Sequence, residues 1–218
     1  ASVSEMRTSS TGQDSAPTKR NILIVYSCRQ YPLRGTAESD LFSFRRYVDE
    51  NVFYLNAAVR SFPRAFARLP FDLVVFDSSF LSGLWSPKRF AQSVERFAPL
   101  RTSAAVKVAL PQDEFINTDV LCDVLRTLEI DCVFSVAPET EWAKIYPSID
   151  RTKVRFFNVL TGYLDEGVVA KIASLGASAP ARTIDVGYRA RLATPSLGRH
   201  GFLKTQIAEV FREAAPQA

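Results

Sequence analysis

The sequence predicts a doubly wound α/β fold, a mostly parallel six-stranded Rossmann-like sheet with helices on both faces. Short apolar runs recur, and each closes on a polar cluster: Asn21–Ser27 (NILIVYS), Asp72–Phe76 (DLVVF), Val106–Leu110 (VKVAL) and Asp131–Val136 (DCVFSV). Buried parallel strands have this composition because helices cover both of their faces. Stretches of helical period alternate with these runs, as βαβ units require. In open α/β sheets the ligand crevice lies outside the C-terminal strand ends, so the polar clusters are the first candidates for a site.

Residues 1–20 are rich in Ser and Thr, lack an apolar period and read as a disordered N-terminal segment. Strand one is followed by a helix over Ala37–Asp49, with Leu41, Phe44 and Val48 at helical spacing. Val52–Leu55 is the second strand, and Pro63 opens a short helix through Leu69. Asp72–Phe76 is the third strand. Ser86-Pro87 starts a helix with Ser as N-cap and Pro in the first turn, carrying Phe90, Val94 and Phe97. Strand four spans Ala105–Leu110. Asn117 or Thr118 caps a helix through Glu129, whose stripe is Val120, Leu121, Val124, Leu125 and Leu128. Strand five is Asp131–Val136, followed by a short helix from Pro138 that holds Trp142. Val154–Val159 is strand six, and Asp165–Leu175 the next helix. Ser174–Pro180 has a linker composition. An extended piece, Thr183–Val186, and a helix over Leu203–Ala214 close the chain. The simplest strand order is 3-2-1-4-5-6. The predicted organisation is a Rossmann-like domain over 21–180, then an extended segment and helix over 181–218.

Composition narrows the function classes. The net charge of +4 is spread along the chain without a dense basic block, which argues against nucleic acid as a partner. No apolar run approaches the ~20 residues of a membrane span. The N-terminus carries no apolar signal core, so the expected location is cytoplasmic. Cys28, Cys122 and Cys132 fit no metal spacing and read as free thiols in a reducing compartment. There is no G-x-G-x-x-G after strand one, no P-loop, no G-x-S-x-G elbow and no zinc pattern; no cofactor or metal is implied.

Three constellations remain. Pro111-Gln112-Asp113-Glu114 follows a central strand, and its adjacent carboxylates suit sugar hydroxyls, a general base, or the cap of the next helix. Tyr31 and Arg34 lie in the loop after strand one, where an arginine binds a phosphate or carboxylate, or pairs with Glu38 or Asp40. Tyr188-Arg189-Ala190-Arg191, with Arg199 and His200, lies past the sheet. Asp77 ends strand three as a turn or cap residue, or as a further candidate base. Glu139 closes the cluster after strand five, where Trp142 and Tyr146 either stack on a ligand or fill the core.

Several segments resemble bacterial glycosyltransferase-like proteins of cell-surface polysaccharide assembly. They are Pro111–Cys122 (PQDEFINTDVLC), Val133–Pro147 (VFSVAPETEWAKIYP), Arg155–Asp165 (RFFNVLTGYLD) and Asp185–Lys204 (DVGYRARLATPSLGRHGFLK). Tyr31-Pro32-Leu33-Arg34 followed by Ser43-Phe44-Arg45-Arg46-Tyr47 fits the same pattern. The resemblance implies the metal-independent GT-B arrangement, two facing Rossmann-like halves, with acceptor bound mostly by the first and nucleotide sugar mostly by the second. It implies that this chain is the first half, acting on a glycan acceptor, with a C-terminal domain missing. In that frame Asp113 or Glu114 is the expected base, with Asp77 behind them. Arg34, Arg189 and Arg191 balance donor phosphates or an acidic glycan, and Tyr31 and Tyr163 offer apolar faces to sugar rings. Gln112, Asn117, Glu139, Tyr188 and His200 complete the expected substrate contacts. The alternative is a non-catalytic Rossmann-like binding or scaffold domain.

Overall fold

The computed structural model describes residues 18–33, 35–162, 165–177, 187–188 and 197–214. The chain divides into two compact units, 1–163 and 164–218.

The first unit is built on six strands: β1 (Asn21–Tyr26), β2 (Asn51–Asn56), β3 (Leu73–Phe76), β4 (Val106–Ala109), β5 (Cys132–Ser135) and β6 (Arg155–Asn158). All neighbouring pairs are parallel. The predicted α/β Rossmann-like sheet is therefore present, but its order is 2-1-3-4-5-6 rather than 3-2-1-4-5-6. Burial explains the difference. The expected order would have put β3 on the sheet edge, yet β3 is the continuous apolar run LVVF, buried beyond its first residue. β2 (NVFYLN) is polar at both ends and only half-buried along most of its length, so it takes the edge. β1, with Leu23, Ile24 and Val25 fully buried, sits between them.

The two sheet faces are packed differently. On one, Leu23, Val25, Val74, Phe76, Ala109 and Val133 meet α2 (Ser78–Leu81), α3 (Pro87–Glu95), α4 (Thr118–Thr127) and α5 (Trp142–Ile145). On the other, Ile22, Ile24, Val75, Val108 and Cys132 meet Leu41 of α1 (Gly35–Tyr47). Lys107 interrupts the apolar alternation of β4. Its ammonium is buried and donates to the Arg101 and Ser103 carbonyls at 3.2 and 3.3 Å, which satisfies it.

Helix starts follow the sequence in position more than in bonding. Pro87 occupies the first turn of α3 as expected, but the Ser86 hydroxyl makes no capping bond. Asn117 precedes α4 in a left-handed conformation (φ 45°), and its amide donates to the Leu84 carbonyl at 2.8 Å instead of capping. The segment after Pro63 forms only a 3-10 turn over Phe66–Arg68, because Pro70 stops propagation soon after Pro63 allows it to start.

The second unit contains α6 (Glu166–Ala177) and α7 (Gly198–Ala214). α7 begins five residues before the expected Leu203. The predicted extended piece over Thr183–Val186 lies outside the described residues. No described helix is long and apolar enough to cross a membrane.

Close packing at the start of α3 yields a direct test. A Cβ on Gly83 would lie 2.2 Å from the Phe90 ring, which is itself buried and packed edge-on against Phe80. Gly83→Ala should cost roughly 1–3 kcal/mol of stability by overpacking, seen in urea denaturation as a lower midpoint with an unchanged slope.

Candidate functional site

In the observed order the topological switch point lies between β1 and β3, the strands whose following connections diverge to opposite sides. A cavity of about 210 Å³ opens along this C-terminal rim. Its polar lining comes from four segments: Asp40 on α1, Asp77 and Ser78 after β3, Gln112 after β4, and Thr161 after β6. Leu110, Phe134, Val136 and Leu160 supply apolar walls. Phe134 is held by stacking on Phe157, with 5.0 Å between ring centroids.

Asp77 is only 6% exposed. It caps α2: Oδ1 accepts from the Ser79 backbone N–H at 2.9 Å and also from the Ser79 hydroxyl. Both bonds fall on one oxygen, so Oδ2 keeps its acceptor capacity. Asp40 faces the same cavity from α1. Its carboxyl is pushed above the ordinary aspartate range, first by burial and then by the negative charge of Asp77. Two carboxylates on one small cavity favour hydroxyl donors. No lysine or arginine belongs to its described lining.

The polar cluster after β4 splits. Gln112 lines the cavity. Asp113 is exposed and left-handed (φ 54°), and its carbonyl accepts from the Ile116 N–H at 3.0 Å. Glu114 turns the other way and is 2% exposed, so the structure places this candidate base inside the protein rather than on the crevice. Its carboxylate accepts from Ser135 Oγ at 2.6 Å, Val136 N–H at 2.6 Å, Ala137 N–H at 3.2 Å, and the Tyr146 hydroxyl. Burial and then the Glu114 charge drive the Tyr146 phenol strongly upward, keeping it a donor. Trp142 joins the network, its indole N–H lying 3.0 Å from both Ser135 Oγ and the Ala137 carbonyl. Trp142 and Tyr146 are thus core residues rather than stacking platforms.

The other predicted contacts scatter. Asn117 is spent on the Leu84 carbonyl, and Glu139 is exposed in the 3-10 turn before α5, outside the described cavity lining. Tyr31 lines a separate cleft with Tyr26 and Tyr54. Tyr188, in the second unit, donates its hydroxyl to the Lys204 carbonyl at 2.7 Å. Arg34, Tyr163, Arg189 and Arg191 lie outside the described residues; His200 falls on α7, but its side chain is likewise not described. The sequence reading missed Asp40 as a cavity residue, having considered it only as a partner for Arg34. It missed Ser78 and Thr161 as well, although each follows a strand end. Among the described residues, no group of three or more His, Cys, Asp or Glu is placed to hold a metal ion. No protein-family model and no curated protein sequence matches the chain.

Two outcomes follow from these environments. With its pKa raised in the fold, Asp40 binds its proton to higher pH than the unfolded chain does. The resulting stabilisation is present at acid pH and fades as pH rises through the raised pKa. Asp40→Asn should therefore gain stability relative to the parent at pH 7 but not at pH 3, as paired urea melts would show. Glu114→Gln leaves buried donors mismatched and should cost roughly 3 kcal/mol, whereas Asp113→Asn, at an exposed left-handed position that asparagine tolerates, should stay within about 0.5 kcal/mol of the parent.

Proposed function

We propose that the crevice at the C-terminal strand ends binds hydroxyl groups of a glycan acceptor. In this reading the chain is the acceptor-side half of a GT-B-like glycosyltransferase of polysaccharide biosynthesis. The observation that carries the proposal is the Asp40–Asp77 pair, two carboxylates on one partly apolar cavity whose described lining lacks a cation. Carboxylates accept from sugar hydroxyls, while Leu110, Phe134 and Leu160 suit the C–H faces of a ring. The nucleotide sugar then belongs to a second half, where its phosphates find counter-charges.

Within that reading Asp77 is the base, in preference to the buried Glu114 and the exposed Asp113. The acceptor hydroxyl attacks the anomeric carbon and its proton passes to Asp77 Oδ2. The bond from that carbon to the phosphate oxygen breaks, and the nucleoside diphosphate leaves with the electron pair. Asp40 orients the hydroxyl as its second acceptor. A module that holds a glycan without transferring it is the alternative, favoured for this chain alone by the single sheet among the described residues.

Calorimetric titration with maltotriose and with UDP-glucose tests the division of labour. The reading predicts heat from the glycan, none from the nucleotide sugar, and about a tenfold weaker glycan affinity for Asp77→Asn, the loss of one charge-assisted bond. Nucleotide-sugar binding that disappears in Asp77→Asn would make this crevice a donor site and overturn the assignment.

A further inference from the structure

A second cleft, of about 540 Å³, opens on the same rim where β1 and β2 end. Tyr26, Tyr31, Tyr54, Arg60 and Phe66 are among its lining residues. Tyr31 is 71% exposed, and its hydroxyl lies 3.5 Å from that of Tyr26. The Arg45 guanidinium sits 5.6 Å over the Tyr54 ring, and the Tyr54 hydroxyl is buried. Arg60 is exposed, and no described carboxylate pairs with it. Asn56, also on the lining, is already spent on the Cys28 and Ala58 backbone.

An aromatic wall beside a free guanidinium suits a sugar ring that carries a carboxylate. The cleft and the carboxylate crevice share the C-terminal rim of the sheet. β2 and β3 lie two strand spacings apart, about 10 Å, a distance a trisaccharide can bridge. We propose that this cleft binds a uronic acid residue of an acidic oligosaccharide whose end reaches the Asp40–Asp77 crevice. Tyr31 stacks on the ring, and Arg60 takes the carboxylate. The proposal rests on the crevice reading only for where that end lies; the cleft's preference for acid stands on its own residues.

The test uses the whole chain, maltotriose and the same trisaccharide with its non-reducing glucose oxidised at C6 to a uronate, with Arg60→Gln and Tyr31→Ala at exposed positions and Asp77→Asn in the crevice. Calorimetry should show the uronate-ended trisaccharide binding about tenfold tighter than maltotriose. Arg60→Gln should abolish that preference while leaving maltotriose affinity unchanged, and Tyr31→Ala should weaken both sugars. Equal affinities in the parent, or a preference that survives Arg60→Gln, would overturn the proposal. If Asp77→Asn alone weakens binding, the cleft fails and the crevice reading stands. If Arg60→Gln removes the preference while Asp77→Asn changes nothing, the cleft stands and the crevice reading fails. Silence toward both trisaccharides overturns both.

Discussion

The carboxylate of Glu114 reaches from the loop after β4 to the segment that follows β5, and four donors converge on it. Two of these are the backbone N–H groups of Val136 and Ala137, so the charge fixes the course of that segment and not merely the side chains near it. Trp142 and Tyr146 bring α5 into the same knot, and Asn158 adds the end of β6 through the Ala137 carbonyl at 2.8 Å. Removing a charge from water is costly unless every bond is made, and here the donors are supplied by the end of β5, the two residues after it and the residue that closes α5. The crevice inherits its shape from this knot, since Gln112 and Val136 are wall residues adjoining it.

Charge along the rim is laid out unevenly. The crevice near β3 and β4 carries Asp40 and Asp77 and no described cation, while the cleft near β1 and β2 carries Arg60. Burial, and then the charge of Asp77, hold the Asp40 carboxyl above its ordinary range. Perturbed carboxyls of this kind cluster at functional sites. The opposite sign at the neighbouring cleft means that a ligand spanning both meets hydroxyl acceptors at one end and a carboxylate partner at the other.

Much of the architecture was legible in the residues. Apolar runs such as NILIVY and LVVF announced strands covered on both sides, and the helices between them followed from period. The strand order was not read correctly, although the cue was present: a run as uniformly apolar as LVVF cannot serve as an edge, whereas NVFYLN can. The site was harder. Gln112, Asp113 and Glu114 are consecutive, yet they point to the crevice, to solvent and to the core. That split depends on the left-handed turn at Asp113, which no composition reveals. Asp40 sits on a helix that looks like any solvated face, and its role depends on β3 lying beside β1. Lys107 shows the converse, a buried charge within a strand pattern, satisfied by carbonyls close in sequence.

The central claim is that the carboxylate crevice at the strand ends is where a glycan sits. It is tested most directly by following backbone amide resonances of the isotopically labelled chain during titration with maltotriose. The account predicts saturable shifts concentrated at Ser78, Gln112 and Thr161, which line the crevice from three different strand ends. Shifts confined to residues 187–214, or saturable binding with those three amides unmoved, would contradict it.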